Sequence, residues 1–193
     1  LSGNVFNDGK CDRHGNFWFG SKHIHNRDPS GNLYKIDPEC QVTLIESGVG
    51  VSNGIAWSPN GEICYYTDSA KRTIWSMKVV DTRIISKDIF IRDEMDYPDG
   101  LTVDAEGFVW SAKWDGGRIV RYSPKGEIDF VLRLPVSRPT SVMFGGKDLT
   151  QLFITTAQAD RNSQSMAGNV FVLQTGTKGL AEKSFNPKLR WAT

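Results

Sequence analysis

Long apolar runs and an excess of either charge are both missing from this sequence of 193 residues. No stretch approaches the roughly 18 apolar residues of a membrane-spanning helix, so we expect no membrane partner. The 23 Lys+Arg residues nearly balance the 22 Asp+Glu residues, and no arginine-rich run occurs. Because binding to nucleic acid depends largely on basic groups that meet phosphates, we expect no nucleic-acid partner either. A phosphate-binding glycine loop and a dinucleotide fingerprint are also absent, which argues against nucleotide chemistry.

Cysteine is scarce, and the cysteines form no C-x-x-C pair. Cys11, Cys40 and Cys64 are widely spaced, so we predict reduced thiols in or near packed strands rather than a disulfide framework. This favours a reducing compartment and a cytoplasmic location. The sequence enters a repeat almost at its first residue, without an initiator methionine or a signal-peptide pattern. We therefore expect that the natural start is absent.

A short phrase returns along the chain, each time at the start of a predicted strand. It opens with Asn7, Asn53 and Asp99, and consecutive copies are 46 residues apart. A less similar fourth copy opens at Thr140, 41 residues after Asp99. In the first three copies a glycine and then an aromatic residue follow at matching places. Repeats of this length that are built from short strands are typical of propeller blades.

Each repeat contains several segments that alternate apolar and polar residues between Gly, Pro and Asn, as strands and hairpins do. We predict an inner strand, a glycine turn, a middle strand, a third strand and a more polar fourth strand, such as residues 42–45 or 128–132. The sequence therefore predicts an all-β propeller of about four blades in one domain over residues 1–193. A β-sandwich with accidental spacing is the alternative.

Four blades are few for a closed ring. We expect the chain to be the C-terminal two-thirds of a larger propeller that is incomplete at its N-terminus. Its first blades are then absent or belong to a companion chain or fragment.

The residues that open the inner strands are candidates for chemistry, because equivalent positions of successive blades lie on a ring around one axis. Asn7, Asn53, Asp99 and Thr140 all carry oxygen, and amide and carboxylate oxygens are hard donors for Ca²⁺, Mg²⁺ or Mn²⁺, and for Zn²⁺ where geometry permits. Asn-Gly and Asp-Gly are also common turn dipeptides that cap their own backbone. The pattern alone leaves both interpretations open.

The motifs around these positions resemble the SMP-30/gluconolactonase/luciferin-regenerating enzyme family. The resemblance follows the chain in order and is carried by residues 6–12, 52–58, 65–69, 98–107, 114–122 and 138–141. It implies a six-bladed propeller that holds one divalent cation in its channel and hydrolyses a small-molecule sugar lactone.

The resemblance also implies roles for individual residues. Asn53 and Asp99 match the metal-binding Asn and Asp of the family, and Asn7 matches an Asn that contacts the substrate. The third protein ligand of the family is a Glu in the first blade, and no part of this chain matches that segment. Val5 stands where many members carry a substrate-binding Arg, so the identity of the substrate stays open.

The chemistry that this set implies is ester hydrolysis. A divalent cation polarises the lactone carbonyl and acidifies a bound water, and Asp99 accepts the proton of that water as general base. The rival interpretation is a non-enzymatic propeller that acts as a calcium-binding regulator or a protein-interaction platform. A remnant that lost its activity together with its first blades is a third possibility.

Several other residues have two interpretations. His14, His23 and His25 contain an H-x-H pair that suits Zn²⁺, but a polar surface loop is favoured. Lys113 and Trp114 either line the channel or pack between blades. Four aspartates recur within the repeats and are expected to brace loops by hydrogen bonds: Asp8, Asp12, Asp68 and Asp104.

Overall fold

The computed structural model describes residues 3–81, 83–158 and 165–188, which form fifteen β-strands and no helix. The first sheet contains β1 (Asn4–Cys11), β2 (Phe17–His23), β3 (Gly31–Ile36) and β4 (Val42–Val49). The second contains β5 (Ser52–Trp57), β6 (Ile63–Asp68), β7 (Thr73–Val80) and β8 (Arg83–Arg92). The third contains β9 (Tyr97–Val103), β10 (Val109–Trp114), β11 (Arg118–Tyr122) and β12 (Ile128–Arg133). The fourth contains β13 (Pro139–Gly145), β14 (Gln151–Thr156) and β15 (Val170–Gln174).

Each sheet is an antiparallel meander in which strands adjacent in sequence are hydrogen-bonded neighbours. The first strands of successive sheets, β1, β5, β9 and β13, contact one another in that order. This is the arrangement of consecutive propeller blades, so the prediction of an all-β propeller with about four blades is confirmed. Within the described residues the fourth sheet has three strands. No described residue lies in a helix. The described part of the chain therefore contains no helix that is long and apolar enough to cross a membrane.

Aspartates in the turns between first and middle strands stabilise those turns. Asp12 accepts hydrogen bonds from the backbone N–H groups of His14 and Asn16, at 2.8 and 2.9 Å, and from Trp18 Nε1 at 2.9 Å. Asp104 makes the equivalent contacts in the third sheet, including one from Trp110 Nε1 at 2.8 Å.

Asp68 stabilises the connection between the first two sheets by accepting from the N–H groups of Gly50 and Val51. The expectation that Asp12, Asp68 and Asp104 brace loops is therefore confirmed.

The core consists of apolar layers between neighbouring sheets. Trp18 and Leu33 of the first sheet pack against Ile55 and Trp57 of the second, and the two indole rings lie 5.7 Å apart. Two further layers join the second sheet to the third and the third to the fourth. Burial of such apolar surface is the main stabilising contribution to the stack of sheets.

The cysteines are free thiols, as predicted. Cys64 is buried in β6 and Cys11 is half-buried in β1, in agreement with a place in packed strands. Cys40 differs, because it is exposed in the turn between β3 and β4 with φ at +63°.

The same irregularity occurs in all four first strands. In β1, Phe6 pairs with Ser21 and Gly9 with Phe19, so that Asn7 and Asp8 together face one residue of β2. The pairing of β5 skips Asn53 and Gly54, that of β9 skips Asp99 and Gly100, and that of β13 skips Thr140. Each strand thus has a β-bulge at its candidate site residue, and a bulge redirects side chains away from the ordinary alternation.

A segment that we call the C-terminal strap, residues 176–188, crosses the far end of the channel. Gly179 forms a β-bridge with Asp104 of the third sheet. Beyond it, the ring of Phe185 lies 6.2 Å from that of Phe17 in the first sheet. Lys188 N–H donates to Pro38 O at 2.6 Å. The strap therefore joins the third and fourth sheets to the first.

Candidate functional site

The bulges surround one cavity of about 710 Å³ at the end of the channel opposite the C-terminal strap. All four residues that the sequence predicts to open the inner strands line it, although the strands themselves begin one to three residues earlier, at Asn4, Ser52, Tyr97 and Pro139. The sequence-predicted site residues are therefore brought together in space. The complete lining is Asn7, Asp8, Lys22, Asn26, Val51, Asn53, Ser69, Ala70, Tyr97, Asp99, Trp114, Thr140 and Ser141.

Hydrogen bonds fix the orientation of the Asn53 amide. Ser69 Oγ donates its one proton to Pro98 O at 2.6 Å, so it must accept from Asn53 Nδ2, which lies 2.8 Å away. The carbonyl oxygen of Asn53 is thereby the atom that faces Asn7, whose Nδ2 donates to it at 2.7 Å. Asn7 Nδ2 also donates to Ser52 O at 2.7 Å. The structure thus holds the amide oxygen of Asn53 in one fixed orientation at the wall of the cavity.

Asp99 is half-buried in the cavity wall and lies close to a second carboxylate. Burial, together with the negative charge of Asp8, raises the pKa of Asp99 to about 7, against the opposing effects of the Gly100 N–H and the Lys22 ammonium. Burial also raises the pKa of Asp8. Because a carboxylate is costly to bury without a compensating charge, the two aspartates create a place where a cation is favoured.

The donor set fits a hard divalent cation. It offers the carboxylates of Asp8 and Asp99 and the oriented Oδ1 of Asn53, which are oxygen donors of the kind that Ca²⁺ and Mg²⁺ prefer. Within the described residues, no three His, Cys, Asp or Glu side chains lie close enough to hold a metal ion by themselves. The described residues therefore offer some of the oxygen donors that a divalent cation needs, and not a complete set.

Two charged residues of the cavity were not among the sequence-predicted site residues. The sequence pattern counts Asp8 among the loop-bracing aspartates, and its Oδ1 accepts from the Gly9 N–H at 2.7 Å, but its carboxylate also lines the cavity and acts on Asp99. The available signal was its repeat position, where the other copies carry Gly54 and Gly100. Lys22 also lines the cavity, and no repeat pattern marks it.

Of the remaining candidate residues, one lines the cavity and the others lie outside it. Trp114 lines the cavity, but Lys113 points into the third sheet, where its Nζ lies 3.0 Å from Asp93 Oδ2. His14 lies in the turn after β1, at the opposite end of the channel. His23 and His25 have ring centroids 5.9 Å apart at the end of β2, and neither belongs to a metal-holding group within the described residues.

The segment from Gly50 to Gly54 has the letters G-x-S-x-G, which in some hydrolases mark a nucleophilic serine. Here the serine is Ser52, which is fully buried in a strand. Its Oγ lies 2.9 Å from the hydroxyl of Tyr66, which donates to it. A nucleophile of that class is exposed on a turn between a strand and a helix, so Ser52 is a structural residue.

Comparison with known proteins agrees with the fold. The family model described as "SMP-30/Gluconolactonase/LRE-like region" matches residues 1–158. The chain belongs to this family of propeller proteins. The resemblance inferred from the repeated motifs is thereby confirmed.

Particular relatives are similar over most of the chain. The 6-deoxy-6-sulfogluconolactonase of Pseudomonas putida is 34% identical over 190 residues, which cover 93% of this chain and 65% of that protein. The solved structure of luciferin-regenerating enzyme has 32% identity and a TM-score of 0.87, covering 95% of this chain and 66% of the other. A calcium-binding protein, regucalcin from Agrobacterium tumefaciens, has 25% identity and a TM-score of 0.89, covering 96% and 66%. The chain spans 64–66% of the length of the curated relatives that it matches.

Proposed function

We propose that this chain carries the central part of the active site of a sugar lactonase that depends on a divalent cation. The observation that supports the proposal most directly is the meeting of Asn7, Asn53 and Asp99, 46 residues apart in sequence, in one cavity. The name of the sulfogluconolactonase from Pseudomonas putida supports a sugar lactone as substrate.

In this proposal, Asn53 Oδ1 and the carboxylate of Asp99 hold the cation, with Asp8 beside them. The cation is Ca²⁺, or alternatively Zn²⁺, Mg²⁺ or Mn²⁺, and the name of the Agrobacterium calcium-binding protein favours the first. When bound, a divalent cation polarises the carbonyl of a cyclic ester and acidifies water beside it.

Asp99 also serves as the general base in this proposal. Its carboxylate oxygen takes a proton from a water molecule as the water oxygen forms a bond to the lactone carbonyl carbon. The bond between that carbon and the ring oxygen then breaks, and the ring oxygen takes the proton held by Asp99 to become the hydroxyl of the open-chain acid, which returns Asp99 to its carboxylate form. Asn7, whose amide reaches Asn53, holds a hydroxyl of the sugar beside the reacting carbon.

We further infer that the stack of sheets continues beyond the described chain as a single propeller domain. Phe6 on the outer side of the first sheet is 73% exposed, and Val170 and Val172 on the last sheet are 59% and 54% exposed. Apolar faces of this kind are normally covered in propellers by a neighbouring blade. Further sheets, in the same polypeptide or in a companion chain, would also supply the remaining cation ligand.

Asp99→Ala tests the proposal in the intact natural protein. Loss of the general base lowers kcat by about 10²–10⁴-fold, and loss of the carboxylate also abolishes cation binding measured by isothermal titration calorimetry. Asp148→Ala, at an exposed aspartate outside the cavity, is the matched control and retains both properties. A chelator abolishes hydrolysis by the wild type, and added cation restores it.

Retained lactonase activity in Asp99→Ala would falsify the assignment of the site. Cation binding that depends on Asp99 without hydrolysis of any sugar lactone would instead favour the calcium-binding regulator. The two candidate functions are thus separated by one pair of measurements.

A further inference from the structure

Lys22 occupies a defined place at the rim of the cavity. It lies near the end of β2, where its backbone pairs with Val5 of β1 and forms a β-bridge with Val51. The backbone of Lys22 is therefore held on both sides. Among the described residues that line the cavity, Lys22 is the one lysine or arginine.

The ammonium of Lys22 is oriented by a neutral group. Its Nζ donates to Asn26 Oδ1 at 3.0 Å. Asn26 has φ at +52° and closes a turn by donating its N–H to His23 O at 2.9 Å. Asn and Asp tolerate this left-handed conformation better than other non-glycine residues, so an asparagine suits both the turn and the contact with lysine.

Two other lysines near the sheets each have a carboxylate partner. Lys71 lies 3.3 Å from Asp68, and Lys113 lies 3.0 Å from Asp93. Within the described residues, no carboxylate lies within 4.0 Å of the Lys22 ammonium, and its hydrogen bond to Asn26 uses one of three N–H donors. Two donors therefore remain for a molecule in the cavity.

Lys22 and Asp8 lie at different levels along the first sheet. Asp8 belongs to the bulge of β1, whereas Lys22 pairs with Val5, on the side of that bulge away from the C-terminal strap. A divalent cation at the two carboxylates would offset their negative charge, which leaves the ammonium as the positive group that faces the outer part of the cavity. An anionic group placed there makes charge-assisted hydrogen bonds, which are stronger than neutral ones.

We infer that Lys22 selects sugar lactones that carry an anionic group, a carboxylate, phosphate or sulfonate, at the end of the sugar remote from the reacting carbonyl. The inference rests on the proposed lactonase function, because the carbonyl must lie at Asp99 for the far end of the sugar to reach Lys22. Tyr97 and Trp114 also line the cavity, and their aromatic rings provide apolar surface for the sugar.

The experiment compares a neutral lactone with anionic lactones of the same ring on the intact natural protein loaded with cation. The probes are glucono-δ-lactone and its 6-phosphate, 6-sulfonate and 6-carboxylate counterparts. We expect the wild type to favour at least one anionic lactone in kcat/KM by about ten- to a hundredfold, as for a hydrogen bond to a charged group. Lys22→Met removes most of this preference, and Lys22→Arg retains it. Added salt reduces the preference, because it screens an exposed charge.

Lys125→Met is the matched control, because Lys125 is an exposed lysine in the turn after β11, outside the cavity. It leaves the ratio of anionic to neutral kcat/KM unchanged. The relative loss of kcat/KM in Lys22→Met on the phosphate, sulfonate and carboxylate lactones identifies which anion the site accepts. Far-ultraviolet circular dichroism of each variant establishes that the ratio was measured on folded protein.

Two results would overturn the inference. One is a wild type without preference for any anionic lactone. The other is an equal loss of kcat/KM on neutral and anionic lactones in Lys22→Met, which would make Lys22 a residue that only offsets the charge of the aspartates. If no lactone is hydrolysed at all, the proposed function fails instead. Calorimetric binding of gluconate and 6-phosphogluconate to wild type and Lys22→Met then still tests the charge recognition.

Discussion

At the scale of single residues, the buried ion pair of Asp93 and Lys113 is separate from the cavity and matters for stability. Lys113 has a fully buried side chain, and that of Asp93 is 9% exposed. Burial lowers the pKa of Lys113, and Asp93 partly opposes this. Although burial alone would raise it, the pKa of Asp93 is lowered by the Lys113 ammonium and by the N–H groups of Asp96 and Met95. Each charge is tolerated at this buried place, between Lys113 of β10 and the connection from β8 to β9, because the other is present.

We expect Asp93→Ala to reduce the free energy of unfolding by about 3–5 kcal/mol, because it leaves the Lys113 charge buried without its partner. The double variant Asp93→Ala/Lys113→Met recovers most of this loss, since no unpaired charge remains. Urea unfolding of the three proteins at neutral pH measures both effects. Equal stability of the single and the double variant would contradict the prediction.

The same pair predicts a dependence on pH. The folded pKa of Asp93 is lowered, so its stabilising contribution is present above the unfolded value of about 4 and is lost as pH falls through the folded value. The lowered pKa of Lys113 makes stability rise with pH only in the range just below its unfolded value of about 10.4, so Asp93 alone accounts for the dependence in acid. Relative to wild type, the double variant should therefore lose less stability on acidification below about pH 4.

At the scale of elements, close contact between the inner strands accounts for the glycines of the bulges. A Cβ atom on Gly54 would lie 2.5 Å from Leu101 N and 2.7 Å from Asp99 O. These are backbone atoms of the next sheet, which cannot move without shifting β9 as a whole. Gly54 thus sets the distance between two strands that carry site residues.

We expect Gly54→Ala to cost about 1–3 kcal/mol of stability, the usual range for overpacking, and to weaken cation binding by displacing Asp99. Gly176→Ala is the control, since a Cβ there meets nothing within 4 Å. Its stability should lie within about 0.5 kcal/mol of wild type. Thermal unfolding and calorimetric titration with Ca²⁺ compare the two. A Gly54→Ala protein with unchanged cation affinity would show that β9 does not move.

The elements also show what the sequence can and cannot predict. The 46-residue interval was enough to predict four units of strands and to place Asn7, Asn53 and Asp99 on one ring, because a repeat imposes its own symmetry. It could not predict that Asp8 turns into the cavity, since this depends on the register of β1 against β2. Lys22 is not predicted either, because the next copy of the repeat carries Asp68 at the equivalent position and no pattern marks the lysine.

At the scale of the whole molecule, the C-terminal strap holds sheets that are distant in sequence. Its Leu180 packs against the layer between the second and third sheets. Arg13 of the first sheet donates to Ala181 O at 2.9 Å, and Lys10 Nζ lies 3.7 Å from Glu182 in the channel. The strap therefore opposes separation of the outer sheets from one another.

We expect truncation after Lys178 to lower the melting temperature by about 5–10 °C, because Leu180 and Phe185 lose apolar burial of about 2–4 kcal/mol together. The double variant Leu180→Ala/Phe185→Ala in the full chain should reproduce most of this loss. Lys183→Ala, at an exposed position of the strap, serves as the control. Differential scanning calorimetry measures all three proteins. A truncated chain that melts with wild type would exclude a clamping role for the strap.

The repeated bulge has a consequence for how such a protein diversifies. In the fourth sheet the equivalent place is taken by Thr140, whose hydroxyl lies 2.7 Å from that of Thr155. The β-bulge directs the side chains at these positions into the cavity. Their identity is therefore independent of the apolar layers between the sheets. A substitution at any of these four positions therefore changes the chemistry of the cavity and leaves the packing between the sheets intact.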